Sequence, residues 1–281
     1  MLIEQLINGI TLGSIYAVVA LGFTLVFGVL GIINMAHGEI FMMGAFVGVI
    51  LTGVLGWPLW LAFLIAIAVT GILGYLLERF ALRPLRGKKG VSHLAPLIST
   101  IGVSILLENL THHFFGAGNK PFRTPFAEIS FQVGSITIYL VQLVIFVISV
   151  ILMVSLSYWL SKTKAGKALR ATAENLETAS ILGVDTKRII ILTVVIASAM
   201  GGIAGILVGM AFNSVSPQMG LAIGLKGLAI IIGGGRGNVK GAMVAYGNSG
   251  YRDAIAFIMI IVILLLRPQG IFGQKATGEG R

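Results

Sequence analysis

The chain has 281 residues, of which 57% are apolar and only 11% are charged, and it has no cysteine. A soluble protein carries roughly 25% charged residues, so this composition excludes a water-soluble fold, and the excess apolar surface must face lipid. The formal net charge of +10 would suggest nucleic acid in a soluble protein. In a membrane protein, basic residues instead collect in cytoplasmic loops, so no nucleic-acid partner is predicted.

Long runs without a charged residue follow one another along the chain, at residues 5–35, 40–77, 129–161 and 189–225. A membrane-spanning helix needs about 20 apolar residues, so each run holds one or two spans. The runs do not alternate polar and apolar residues, as the strands of a membrane barrel must. Six spans are predicted at residues 6–30, 40–55, 59–80, 94–115, 135–160 and 189–212.

Two loops are rich in basic residues, residues 83–89 and the segment 162–188. The positive-inside rule places both in the cytoplasm, and both fit if the first span begins outside. The loop 116–134 then lies outside.

The last third of the chain does not complete this pattern. Residues 219–235 give one more short span, and residues 241–266 reach spanning length only with Arg252 and Asp253 near their middle. If that segment crosses alone, the basic end of the chain lies outside, against the rule. One helix is therefore missing, or one segment is re-entrant. The prediction is an all-α, polytopic transmembrane helical bundle of about seven to eight membrane segments, forming a single domain over residues 1–281.

The segment 162–188 is the most polar part of the chain. Helix-forming residues dominate 165–182, and Leu169, Ala173, Leu176 and Ser180 recur with the spacing of one helix face. Gly183 is a suitable stop for such a helix. We interpret it as a cytoplasmic helix that docks into a groove of a partner. The alternative is an ordinary solvated loop.

A polar interruption divides the first two spans. Asn34, His37 and Glu39 lie close together there, and polar groups near membrane depth usually face a cavity or another helix. These three residues are candidates for lining a translocation path, and His37 and Glu39 are candidates for pairing. The alternative is an interfacial helix break with Glu39 near the lipid headgroups.

The glycine-rich run 233–241 superficially resembles a phosphate-binding loop. It fails the pattern, because Lys240 is followed by Gly241 instead of Ser or Thr. We find no nucleophile–base pair and no metal-ligand spacing either. The chain is therefore predicted not to be an enzyme, with no catalytic residues, cofactor or metal, and any use of ATP must come from another subunit.

Five stretches of the chain resemble the permease subunits of branched-chain amino acid ABC importers, the Liv type. They are residues 8–17, 28–39, 170–185, 251–254 and the closing Arg-Pro-Gln-Gly at 267–270. The resemblance implies a bacterial inner-membrane importer in which a second related permease completes the path. Two cytoplasmic ATPase subunits would bind beneath, and a periplasmic binding protein would deliver Leu, Ile or Val. The ATPase-coupling helix would comprise Arg170, Ala171, Ala173, Glu174, Asn175, Ala179, Gly183 and Asp185.

One departure from the family pattern is visible. Similar proteins carry a further hydrophobic helix after the glycine-rich turn, where only residues 241–250 remain here. The topology indicates a missing helix at the same place. We therefore hypothesise an internal loss of about one helix near residues 245–248.

Other functions stay open at this point. A urea or short-amide ABC importer permease shares these motifs. An ion-coupled secondary transporter would work without partners and would carry a buried carboxylate relay, for which Glu39 and Glu108 are candidates. A membrane enzyme would need a catalytic constellation.

Overall fold

The computed structural model describes residues 2–86, 94–124, 126–133 and 136–234. The nine α-helices in this part of the chain are α1 Leu2–Leu30, α2 His37–Gly48, α3 Leu59–Leu77, α4 Ala95–Phe115, α5 Leu140–Lys162, α6 Lys164–Glu174, α7 Leu176–Ile181, α8 Thr186–Phe212 and α9 Met219–Gly234. A π-helical turn, Val49–Val54, extends α2, and Glu78–Leu82 extends α3. The short strands are β1 Lys120–Pro121, β2 Ser130–Val133, β3 Ile136–Tyr139 and β4 Ser214–Val215.

Five helical stretches in the described residues are long and apolar enough to cross a membrane: Ile3–Leu30, His37–Val54, Leu59–Leu85, Leu140–Lys162 and Thr186–Phe212. They coincide with predicted spans one, two, three, five and six, and the polytopic helical bundle is confirmed. The fourth predicted span is the helix α4, which is outside this set of five and carries Ser104, Glu108, Asn109, Thr111, His112 and His113.

Helix α8 occupies the centre of the bundle and packs against α1, α2 and α3. Small residues let it approach its neighbours closely, as is usual between membrane helices. Gly202 faces Gly44 of α2, and Gly205 lies directly against the backbone of Phe41 and Ala45. A methyl group added to Gly205 would overlap the Phe41 carbonyl oxygen. The outward faces of α3 and α5 are mostly exposed in the isolated chain, as expected of surfaces that meet lipid.

Two small antiparallel strand pairs lie at the helix ends on one side of the bundle. Lys120 pairs with Val215 and Pro121 with Ser214, which brings the loop after α4 beside the end of α8. This agrees with the predicted topology, in which both lie on the same, outer side. The other strand pair, β2 with β3, is a hairpin.

The β2–β3 hairpin changes the predicted start of the fifth span. The fifth span was expected to begin at residue 135, but the helix begins at Leu140 and residues Ile136–Tyr139 form a strand. Ile136, Thr137 and Ile138 are β-branched, which favours an extended backbone over a helix start. The Tyr139 amide donates to the Gln142 side chain and starts the helix there.

Several predictions lie outside the described residues. They are the helix loss near residues 245–248, the segments 251–254 and 267–270, most of the glycine-rich turn, and the final membrane segment.

Candidate functional site

The segment 162–188 folds as two short helices instead of the single helix predicted over residues 165–182. Helix α6 ends at Glu174, and Asn175 adopts an extended conformation with φ −155° and ψ 111°. The Asn175 side-chain oxygen accepts a hydrogen bond from the Thr178 amide at 2.8 Å and caps α7. Asparagine is a favoured N-cap residue, so this break has a signal in the sequence.

The buried face of the segment also differs from the prediction. Gly166, Leu169 and Thr172 are buried in α6, and Ala179 is buried in α7. Of the predicted face, Leu169 is buried, but Ala173, Leu176 and Ser180 are exposed. The break at Asn175 is the reason, since it changes the direction of the chain between the two halves.

Both ends of the segment are fixed by local hydrogen bonds. The Thr163 side chain accepts from the Gly166 amide at 2.9 Å and caps α6. The Asp185 carboxylate accepts from the Arg188 amide at 3.1 Å and caps α8. Gly183, with φ +86°, makes the left-handed turn that ends α7.

The residues predicted for the coupling helix divide into three groups in the structure. Ala179 is buried and Ala171 is half-buried. Gly183 and Asp185 shape the turn into α8. The exposed members at or before the break between the helices are Arg170, Ala173, Glu174 and Asn175.

Two apolar side chains on this segment were missed by the sequence reasoning. Ile181 is 79% exposed and Leu182 is 76% exposed, and Leu176 at the start of α7 is 41% exposed. Large apolar side chains grouped on a polar surface are typical of a protein interface. An apolar pair directly before the stop at Gly183 was the available signal.

The polar residues between the first two spans lie deep inside the bundle. Asn34 is 2%, His37 0% and Glu39 1% exposed, so other parts of the chain enclose all three side chains. We call these three residues the polar cluster. The amide of Ala36 donates to the Asn34 side-chain oxygen at 3.1 Å, which shapes the turn into α2.

His37 and Glu39 contact different neighbours instead of pairing. His37 lies against Gly22 of α1 and Gly201 of α8, and the Phe23 ring meets its ring edge-on, 4.4 Å between centroids. Glu39 lies against Gly220 of α9. The two side chains therefore connect α2 to separate helices.

The Ser104 hydroxyl of α4 donates to Glu39 Oε1 at 3.2 Å. Four buried polar atoms of the cluster have no hydrogen-bond partner among the described residues: Asn34 Nδ2, His37 Nδ1, His37 Nε2 and Glu39 Oε2. Leaving such groups unpaired is costly, which makes the cluster a candidate for a polar role in the bundle.

A cavity of about 380 Å³ opens at the end of the bundle where α1 and α5 begin. The Gln142 side-chain amide donates to Asn8 Oδ1 at its wall. Neutral side chains line it: Asn8, Thr11, Leu12, Ala127, Tyr139, Val141, Gln142, Ile145, Met210, Ala211, Phe212 and Asn213. The lining therefore mixes apolar side chains with uncharged polar ones.

Comparison with known proteins identifies the family of the chain. Residues 5–246 match the family model described as the permease component of a branched-chain amino acid transport system. The chain belongs to this family. It is therefore a multi-pass membrane protein of the permease type. No solved structure matches the chain.

Curated members of the family are similar over nearly the whole chain. The high-affinity branched-chain amino acid transport system permease protein BraD of Pseudomonas aeruginosa is 38% identical, covering 97% of this chain and 96% of BraD. LivH of Escherichia coli K12 is 36% identical with the same coverage. LivM of the same organism, also a branched-chain permease protein, is 27% identical over 93% of this chain and 68% of LivM.

The alignment with BraD also shows that this chain lacks residues at internal positions of the alignment. The alignment is 299 positions long, whereas the chain has 281 residues. At least 18 positions of the alignment therefore have no residue of this chain. That is about the length of one membrane span. The family match ends at residue 246, within the region where a lost helix was hypothesised.

Proposed function

We propose that the chain is the permease subunit of an ATP-driven importer for leucine, isoleucine and valine in a bacterial inner membrane. The observation that carries this is the similarity to BraD and LivH, at 38% and 36% identity over 97% of the chain. Both relatives are named as permeases for branched-chain amino acids.

The permease works with partners in this proposal. The similarity to LivM supports a second, related permease that completes the path. Two cytoplasmic ATPase subunits supply the energy, and a periplasmic binding protein delivers the substrate. Closure of the ATPases tilts the two permeases between inward-facing and outward-facing states, a rigid-body change.

The segment 162–188 is the proposed contact with an ATPase. Its exposed apolar residues support this, because Ile181 and Leu182 stand out from a polar surface. The polar cluster is the proposed polar element of the path. Its support is its depth in the bundle together with its unpaired polar atoms, since polar groups inside membrane proteins usually serve transport.

Uptake by the reconstituted complex tests the proposed function. Proteoliposomes would hold this chain, the second permease and the ATPase subunits, with the binding protein added outside. We expect ATP-dependent accumulation of labelled leucine that excess isoleucine or valine blocks and excess urea does not. Urea uptake without leucine uptake would instead establish the short-amide reading. Leucine uptake driven by an ion gradient without ATPases would establish a secondary transporter.

The ATPase contact is tested by capture of the ATPase subunits on membranes carrying the permeases. Ile181→Asp combined with Leu182→Asp should abolish capture, because buried charges without partners oppose association. Ser161→Asp adds a charge at an exposed position of α5 and is the matched control, for which capture should stay normal. Equal capture by both variants would place the contact elsewhere.

A further inference from the structure

The end of α5 and the start of α6 are joined by one side chain. The Thr163 hydroxyl donates to the Trp159 carbonyl of α5 at 2.7 Å, and the same oxygen accepts from the Gly166 amide of α6 at 2.9 Å. Thr163 therefore ends one helix and starts the next. A single residue separates the two helices.

The two helices also touch backbone to backbone beside this joint. Gly166 lies directly against the Trp159 and Leu160 carbonyl oxygens, so that a methyl group at this position would overlap both. Leu169 and Thr172 continue the buried face, and α6 packs against α1 and α8 as well as α5. Helix α6 is thus part of the bundle.

Arg170 completes the joint from the exposed side. Its Nη1 donates to the Leu160 carbonyl oxygen, one of the last carbonyls of α5, which have no partner within the helix. A cation is favoured at this negative end of a helix dipole. The guanidinium of Arg170 is therefore directed back at its own chain.

Helix α7 has a different character. It follows the break at Asn175 and carries the exposed Ile181, beside Leu182. The segment thus has one half fastened to the bundle and one half that presents apolar side chains outward.

We propose that Arg170 is a positioning residue that fastens α6 to the end of α5, so that α5 and α6 move as one rigid arm and α7 makes the contact with the ATPase. This rests on the proposed function for the identity of the partner. The fastening of α6 to α5 is argued from the contacts of Thr163, Gly166 and Arg170 and does not depend on that function. In this arrangement a push on α7 reaches the membrane through α5.

Distances between spin labels test the fastening. The chain has no cysteine, so Ser157→Cys on α5 and Ala173→Cys on α6 give two labels at exposed positions. The permease pair in lipid nanodiscs should give one narrow distance distribution. Arg170→Met should broaden it, and Arg170→Lys should partly restore it, because an ammonium group can donate to the same carbonyl. Lys167→Met removes an exposed cation from the same helix and should leave the distribution narrow.

The complete complex then separates fastening from contact. Arg170→Met should still capture the ATPase subunits, while leucine taken up per ATP hydrolysed falls about tenfold, within the usual range of coupling between sites. A distribution in Arg170→Met as narrow as with Arg170 in place would overturn the proposal. Loss of capture in Arg170→Met would also overturn it and would make Arg170 an ATPase contact. If the unmodified chain captures no ATPase, the proposed function fails, and the label distances still decide the fastening.

Discussion

Glu39 contacts two further helices, although only its Oε1 has a hydrogen bond among the described residues. Its Oε1 accepts from Ser104, and its side chain lies against Gly220 in the first turn of α9. The amides of a first helical turn lack partners inside the helix, and the positive end of the helix dipole favours an anion there. The carboxylate therefore links α2 to α4 and α9, while His37 links the same turn to α1 and α8.

Glu39→Gln tests whether this link serves transport. The amide directs a donor where the helix end favours an acceptor, so we expect leucine uptake to fall about tenfold, equivalent to ~1.4 kcal/mol, with normal amounts of protein in the membrane. Ser149→Ala is the control, since the Ser149 hydroxyl is also buried and unpaired among the described residues but lies on α5, outside the cluster. Full uptake by Glu39→Gln would remove the polar cluster from the path.

At this scale the sequence selected three polar residues that the structure buries, but it did not indicate what they touch. Polarity inside an apolar run was enough to select Asn34, His37 and Glu39. The neighbours of Glu39, Ser104 and Gly220, are far from it in the chain. Their approach depends on how helices pack, which residue type alone does not encode.

The packing of α8 makes a clear prediction at the scale of elements. Gly205→Ala should destabilise the protein by about 1–3 kcal/mol, the usual cost of overpacking, because the methyl group meets the α2 backbone. Gly102→Ala is the matched control on α4, where an added methyl group meets nothing within 4 Å. Thermal unfolding in detergent should show a lower midpoint for the first variant and an unchanged or higher one for the second. Equal midpoints would contradict the close packing.

The cap of α7 gives a second prediction at this scale. Asn175→Ala removes the hydrogen bond to the Thr178 amide and should cost about 0.5–2 kcal/mol of local helix stability. In a helix of 6 residues this should unfold α7 and weaken ATPase capture. Asn175→Asp keeps an accepting oxygen and should bind normally. Weak capture by both variants would show that the amide itself contacts the partner.

Helix positions were predictable because long apolar runs leave few alternatives in a membrane. The departures occur where short-range chemistry competes with that pattern. Residues 136–138 continue into the apolar run that predicted a span, yet they form a strand. Their β-branched residue types favour that conformation. Asn175 stands among good helix formers, yet its side chain caps a new helix. Both signals are local. The sequence-based prediction gave more weight to the longer apolar and helix-forming patterns around them.

The topology of the whole molecule can be mapped with single cysteines in this cysteine-free chain. Asn119→Cys lies beside β1 and should react with an impermeant maleimide from outside, whereas Ser180→Cys on α7 should react only after the membrane is opened. Both positions are exposed, so a difference reports sidedness. Reaction of both from the same side would contradict the proposed orientation.

Gln274→Cys, outside the described residues, extends this map to the end of the chain. If the gapped positions, at least 18 in total, remove one membrane span, this cysteine should react from outside. Protection from the reagent would show that the end of the chain lies in the cytoplasm, so that another segment compensates for the gap.

The central place of α8 has a consequence for the order of synthesis. Its partners α1, α2 and α3 leave the ribosome first, and roughly 100 residues separate α3 from α8, which takes about 5–20 seconds at 5–20 residues per second. During that interval the polar cluster lacks the α8 wall against which His37 rests. The early spans are therefore incompletely packed in the bilayer during this interval. A membrane insertase or chaperone that shields them would matter most before residue 212 has been made.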